Sequence, residues 1–124
     1  MKGFLLTVSV NSYFGPSWQL EISEGDVTIL KSADGISTEK VVCELNRRTV
    51  SLLEKQLADA GVFAWGHHYL DCCILDGTSW SVVIRSGSRQ VESCGTNGYP
   101  QNWPDFMRIL HEHLGFKNSF TSFL

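Results

Sequence analysis

The chain reads as an α+β protein: a mainly antiparallel sheet of about six to seven strands in hairpins and a meander, with two amphipathic helices. Three observations predict this. Apolar and polar residues alternate through the first third of the chain and again over residues 78–94. Two stretches, 47–60 and 103–114, change to steps of three and four. Glycine-bearing turns at Glu24-Gly25, Asp76-Gly77 and Gly87-Ser88 separate the alternating runs.

In chain order, Leu6, Val8 and Val10 alternate with Thr7, Ser9 and Asn11, the period of a half-buried strand. The opening MKGFLLTVSVNSYFG invites comparison with a secretory signal. It carries only Lys2 and an apolar stretch of about eight residues, with no small-x-small site after it, so a first strand is the preferred reading. Trp18, Leu20 and Ile22 alternate with Gln19, Glu21 and Ser23, and Glu24-Gly25 turns the chain back through Val27-Thr28-Ile29, so residues 17–30 read as a hairpin. After a loop with Asp34-Gly35, a further strand is expected near 37–45.

Val50, Leu53, Leu57 and Ala60 make one stripe of a helix over 47–60, with Asn46 as N-cap and Gly61 just past its end. Residues 69–75, 78–85 and 89–94 read as a three-stranded meander. A three-residue loop Leu75-Asp76-Gly77 would set Leu70, Cys72 and Ile74 opposite Val82, Trp80 and Thr78 on the core side. A slip of one residue would bury Asp71, which favours this register. A two-residue loop at Gly87-Ser88 pairs Ile84 with Val91. The opposite side then displays Tyr69, Asp71, Ser81, Arg85, Gln90 and Glu92. After the glycine-rich connection 95–100, Asn102 is the expected cap of the last helix, 103–114. Trp103, Phe106, Met107, Leu110 and Leu114 form its apolar stripe, His111 and His113 fall in its last turn, and Gly115 stops it. The apolar tail FKNSFTSFL is expected to pack on the domain.

A chain of 124 residues, 43% of them hydrophobic, suits one domain spanning 1–124. Its formal charge is −3, from 10 Lys+Arg against 13 Asp+Glu, and no basic run exceeds Arg47-Arg48. Neutralising a nucleic-acid backbone is therefore not its expected task, and a basic protein partner suits it better. No stretch approaches the ~18–20 apolar residues that span a bilayer. The four cysteines, Cys43, Cys72, Cys73 and Cys94, sit in apolar or strand-like settings, which suits reduced thiols in a cytoplasmic protein.

Each candidate for chemistry has a plainer reading. His67-His68 and Cys72-Cys73 offer metal-ligand types, but adjacent pairs on extended backbone diverge, unlike the spaced pairs of zinc sites. Cys94 with His111 or His113 as base lacks any spacing that would join thiol to imidazole. The loop Gly95 to Gly98 lacks the lysine and the order of a phosphate-binding loop. Asp71 and Glu92 share a sheet side without further features of a paired-carboxylate site. No catalytic residue, metal or cofactor is expected.

The stretch DGTSWSVVIRSGSRQVESCGTNGYPQNWPDF carries a pattern of Asp76, Gly77, Trp80, Gly95, Asn97, Tyr99, Pro100, Asn102 and Trp103. It resembles a pattern in small bacterial proteins, where a D-G turn and a Trp-bearing strand precede G-x-N-x-Y-P-x-N-[WY] and a final helix. The resemblance is to immunity proteins of polymorphic-toxin and contact-dependent growth inhibition systems, and covers about the last 45 residues. It implies a non-enzymatic protein that binds and neutralises a cognate, basic toxin in the cytoplasm. It transfers no binding residue. The expected contact surface comes from the register instead: Tyr69, Asp71 and Glu92, or alternatively the acidic hairpin with Glu21, Glu24 and Asp26. The competing expectation is a small enzyme or small-ligand-binding domain with a site of scattered residues.

Overall fold

A computed structural model of the protein describes residues 3–12, 17–32, 38–66, 68–70, 78–96 and 98–114. The alternating runs become seven strands: β1 (Phe4–Ser12), β2 (Ser17–Ser23), β3 (Asp26–Ser32), β4 (Glu39–Glu44), β5 (His68–Leu70), β6 (Thr78–Ser86) and β7 (Arg89–Thr96). They form one sheet in the order β4-β3-β2-β1-β6-β7-β5. The first six in that order run antiparallel, and β5 joins the edge parallel to β7. With the helices α1 (Arg47–Asp59) and α2 (Trp103–Leu114), the fold is α+β, as the periodicity predicts.

Alternation decides which side of the sheet is covered. Leu6 and Val8 from β1, Leu20 and Ile22 from β2, and Val82 and Ile84 from β6 are all fully buried. So are Leu53 and Leu57 of α1 and Phe106 and Leu110 of α2, which pack into the same core. Each such side chain contributes about 1.5–3 kcal/mol relative to leaving it in water. The helix ends follow the sequence signals. Asn46 Oδ1 accepts the Thr49 backbone N–H at 2.8 Å, and Gly61 takes the left-handed φ of 84° that ends α1. A short 3-10 helix, Val62–Ala64, leads on to Trp65. His113 of α2 meets Gln56 Oε1 of α1, tying the two helices together. Two buried hydroxyls are paired: Ser86 Oγ donates to the Glu54 carboxylate, and Ser93 Oγ to the Gly66 carbonyl at 2.6 Å.

The expected meander needs a correction. Leu70 does not lie beside β6, whose neighbours are β7 and β1. That place belongs to β1, with Leu6 opposite Ile84, Val8 opposite Val82, and Val10 opposite Trp80. Leu70 is registered with Thr96 of β7 instead. The nine-residue β1 matches the whole of the nine-residue β6, joining two continuous apolar rows. Residues 71–77, with Asp71 and the expected loop, lie outside the described residues. The second hairpin is as expected: Ile84 pairs with Val91 across Gly87-Ser88, and Gly87 has φ 61°, as a type II′ turn requires at that place.

The β2–β3 turn carries strain that an exchange would relieve. Glu24 (φ 52°) and Gly25 (φ 95°) are both left-handed, the type I′ pattern that pairs best with Asn-Gly. Gly25 has no substitute, because a Cβ there would come 2.7 Å from the Leu45 carbonyl. Glu24 does have one. Glu24→Asn is expected to stabilise the fold by about 0.5–1 kcal/mol, raising the urea midpoint at unchanged slope. A lowered midpoint would mean that the Glu24 side chain, which lies over Gly3, contributes more than its backbone strain costs.

Candidate functional site

Both helices pack on one side of the sheet, and the other side is uncovered among the described residues. There the strands bring together positions far apart in the chain. Glu21 pairs with Thr7, Thr7 with Val83, and Val83 with Glu92, making one transverse line across β2, β1, β6 and β7. Both carboxylates are exposed, and three strand spacings separate them by roughly 14 Å. The line continues through Thr28 to Val42 on β4. A neighbouring line holds Gln19, Ser9, Ser81 and Cys94, and the next Ser17, Asn11, Ser79 and Thr96. That end of the surface is dominated by hydroxyls and amides. At the other end Asp26 and Glu44 lie opposite each other, with Ser23, Leu5, Arg85 and Gln90 completing the line.

The surface is rigid because its side chains stand on paired backbone. Two local hydrogen bonds order it further: Asn11 Nδ2 donates to Ser9 Oγ at 3.4 Å, and Gln90 Nε2 to Glu92 Oε1 at 3.1 Å. A polar depression of about 190 Å³ lies where β1 ends and β2 begins, lined by Asn11, Ser17, Gln19, Leu30 and Ser32 among others. It is smaller than the ~300–1,000 Å³ of ordinary small-molecule sites, and those are mostly apolar.

Of the residues singled out in the sequence, Ser81, Arg85, Gln90 and Glu92 are exposed on this side, as the alternation predicts. Glu21, Glu24 and Asp26 are exposed too. The structure joins the two expected surfaces, since Glu21 and Glu92 stand in one line. Tyr69 belongs to β5 and is registered with Gly95, but its side chain and all of Asp71 lie outside the described residues. Sequence reasoning missed Thr7, Val83 and Glu44. Their exposed-side parity was legible, but not which strands would flank them.

Cys43 and Cys94 are free thiols. They lie on strands five places apart in the sheet order, roughly 24 Å, far beyond the reach of a disulfide. Burial pushes the Cys43 thiol up from its ordinary value, which favours the protonated form. Cys72 and Cys73 lie outside the described residues, as does His67. Among the described residues no three His, Cys, Asp or Glu side chains gather as a metal site would need. No described helix is long and apolar enough to cross a membrane.

The pattern around Trp80 and Trp103 has an architectural role. Trp80 packs against Trp103 at 4.7 Å between ring centroids and stacks on Tyr99 at 6.1 Å, and its Nε1 donates to the Gly98 carbonyl at 2.7 Å. Asn102, expected as a helix cap through its side chain, accepts instead from Trp65 Nε1 at 2.7 Å and donates to the Ala60 carbonyl. Only its backbone carbonyl opens α2, accepting from the Phe106 N–H. These residues lock the end of α1 to the start of α2. No family model matches the chain, and no curated protein matches it as a relative.

Proposed function

We propose that the chain is a non-enzymatic protein-binding protein, an immunity protein that neutralises a cognate basic toxin in the bacterial cytoplasm through the uncovered side of its sheet. The observation that supports this most is the line of Glu21, Thr7, Val83 and Glu92: two exposed carboxylates on rigid strands, flanking small side chains across a broad surface. Such a surface meets a partner with little loss of side-chain entropy, and its carboxylates steer a basic partner into contact. A small-ligand-binding domain or small enzyme is the second reading, favoured by the depression at Asn11 and Gln19. Its small volume supports the first reading over this one.

The double change Glu21→Lys with Glu92→Lys tests the proposal. Against the product of the neighbouring reading frame, association measured at low salt is expected to slow by about tenfold or more, with protection from growth arrest reduced. Because both side chains are exposed, the melting temperature should stay nearly unchanged. Unimpaired association and protection would remove this surface as the interface.

A further inference from the structure

The open edge of the sheet carries a self-complementary strand. Among the described residues β4 ends the strand order on its side, so there one row of its backbone groups has no neighbour in the sheet. Which groups these are follows from the ladder. Leu45 N–H donates to the Gly25 carbonyl at 2.7 Å, continuing the register in which Cys43 faces Val27 and Val41 faces Ile29. In an antiparallel ladder the bonding direction alternates, so the N–H and C=O groups of Lys40, Val42 and Glu44 point outward. Val42 is also the most exposed large hydrophobic side chain among the described residues, at 64%. Lys40 and Glu44 are exposed, and neither takes part in a salt bridge among the described residues; the nearby Glu39 pairs with Lys31 at 3.5 Å.

We propose that β4 is a homodimer interface, two copies pairing antiparallel about a two-fold axis at Val42. In that register Val42 meets Val42 of the second copy, and Val41 meets its Cys43. Lys40 meets its Glu44, and by symmetry Glu44 meets its Lys40. The three pairs formed by Lys40, Val42 and Glu44 are those with outward backbone groups, each exchanging two bonds, roughly six in all. Opposite charges directly across a ladder attract, and the exposed valine is covered. Neighbouring registers lose this match. Centring on Val41 sets Lys40 against Val42, centring on Cys43 sets Glu44 against Val42, and a centre between residues opposes outward groups to inward ones. The two seven-stranded sheets become one, which extends the uncovered side across both copies.

Sedimentation equilibrium of the full chain across micromolar concentrations tests the pairing. The parent chain is expected as a dimer. Lys40→Glu and Glu44→Lys each create two like-charge pairs and should raise the dissociation constant about tenfold or more. Mixing the two variants restores opposite charges at both pairs, so the mixture should dimerise as the parent does. Val42→Cys gives a second readout independent of charge. The Cα atoms of a hydrogen-bonded pair stand about 5.5 Å apart, so mild oxidation should yield a disulfide-linked dimer that the parent chain does not form. A parent chain that stays monomeric overturns the proposal. So does a dimer indifferent to the charge reversals, or one whose variants fail to recover on mixing.

Discussion

Replacing Trp80 by alanine is expected to lower stability by about 3–5 kcal/mol, the range for deleting a large aromatic from a packed core. Trp80 is 2% exposed and sits mid-sheet, opposite Val10 on one side and Gly95 on the other. The glycine has no side chain to fill its place in the row, so the indole packs instead against Trp65, Tyr99 and Trp103. Alanine empties that place and leaves the Gly98 carbonyl without its donor. Set against the ~5–15 kcal/mol by which small domains are stable, such a loss removes a large share of the total. Trp80→Phe separates the two contributions: it keeps most of the burial and loses the N–H, and should cost only about 1–2 kcal/mol. Urea unfolding followed by far-UV circular dichroism measures both. A loss below about 1 kcal/mol for the alanine variant would contradict the packing described.

The burial of Trp80 was legible in the sequence, while its neighbours were not. Alternation around Trp80, Val82 and Ile84 told which side chains turn inward, because the period of a strand is set by local backbone geometry. The helices were legible for the same kind of reason: the Asn46 cap and the left-handed Gly61 act within a few residues of where they stand. Strand order is a different matter. Leu6, Val8 and Val10 present the same pattern as Leu70, Cys72 and Ile74, and periodicity cannot choose between them as the partner of β6. The Asp76-Gly77 turn signal favoured the nearer segment in sequence reasoning. The row of β1 prevails in the fold, where it aligns with every residue of β6. The same limit hid the candidate surface. Glu21 and Glu92 were each visible as exposed acids, but the line joining them runs through Thr7 and Val83, and only the strand order places those two between them.

Asn102→Ala is expected to cost about 2–4 kcal/mol although it removes no apolar burial, because it orphans two groups in one change. The side-chain oxygen accepts from Trp65 Nε1 at 2.7 Å, and the side-chain nitrogen donates to the carbonyl of Ala60, where α1 ends. Both contacts are part-buried, so water replaces them only incompletely. Asn102→Asp distinguishes this role from simple space-filling. It keeps the shape and the acceptor for Trp65, but faces a carboxylate oxygen toward the Ala60 carbonyl, so it should destabilise at neutral pH at least as much as alanine. A double-mutant cycle with Trp65→Phe then isolates the indole bond, with a coupling of about 0.5–3 kcal/mol expected for residues in direct contact. If Asn102→Ala unfolds within about 0.5 kcal/mol of the parent, the amide is an ordinary surface group and the lock between the two helices lies elsewhere. A large loss with no coupling to Trp65 would assign the stabilisation to the Ala60 carbonyl alone, which closes the last turn of α1 onto the start of α2.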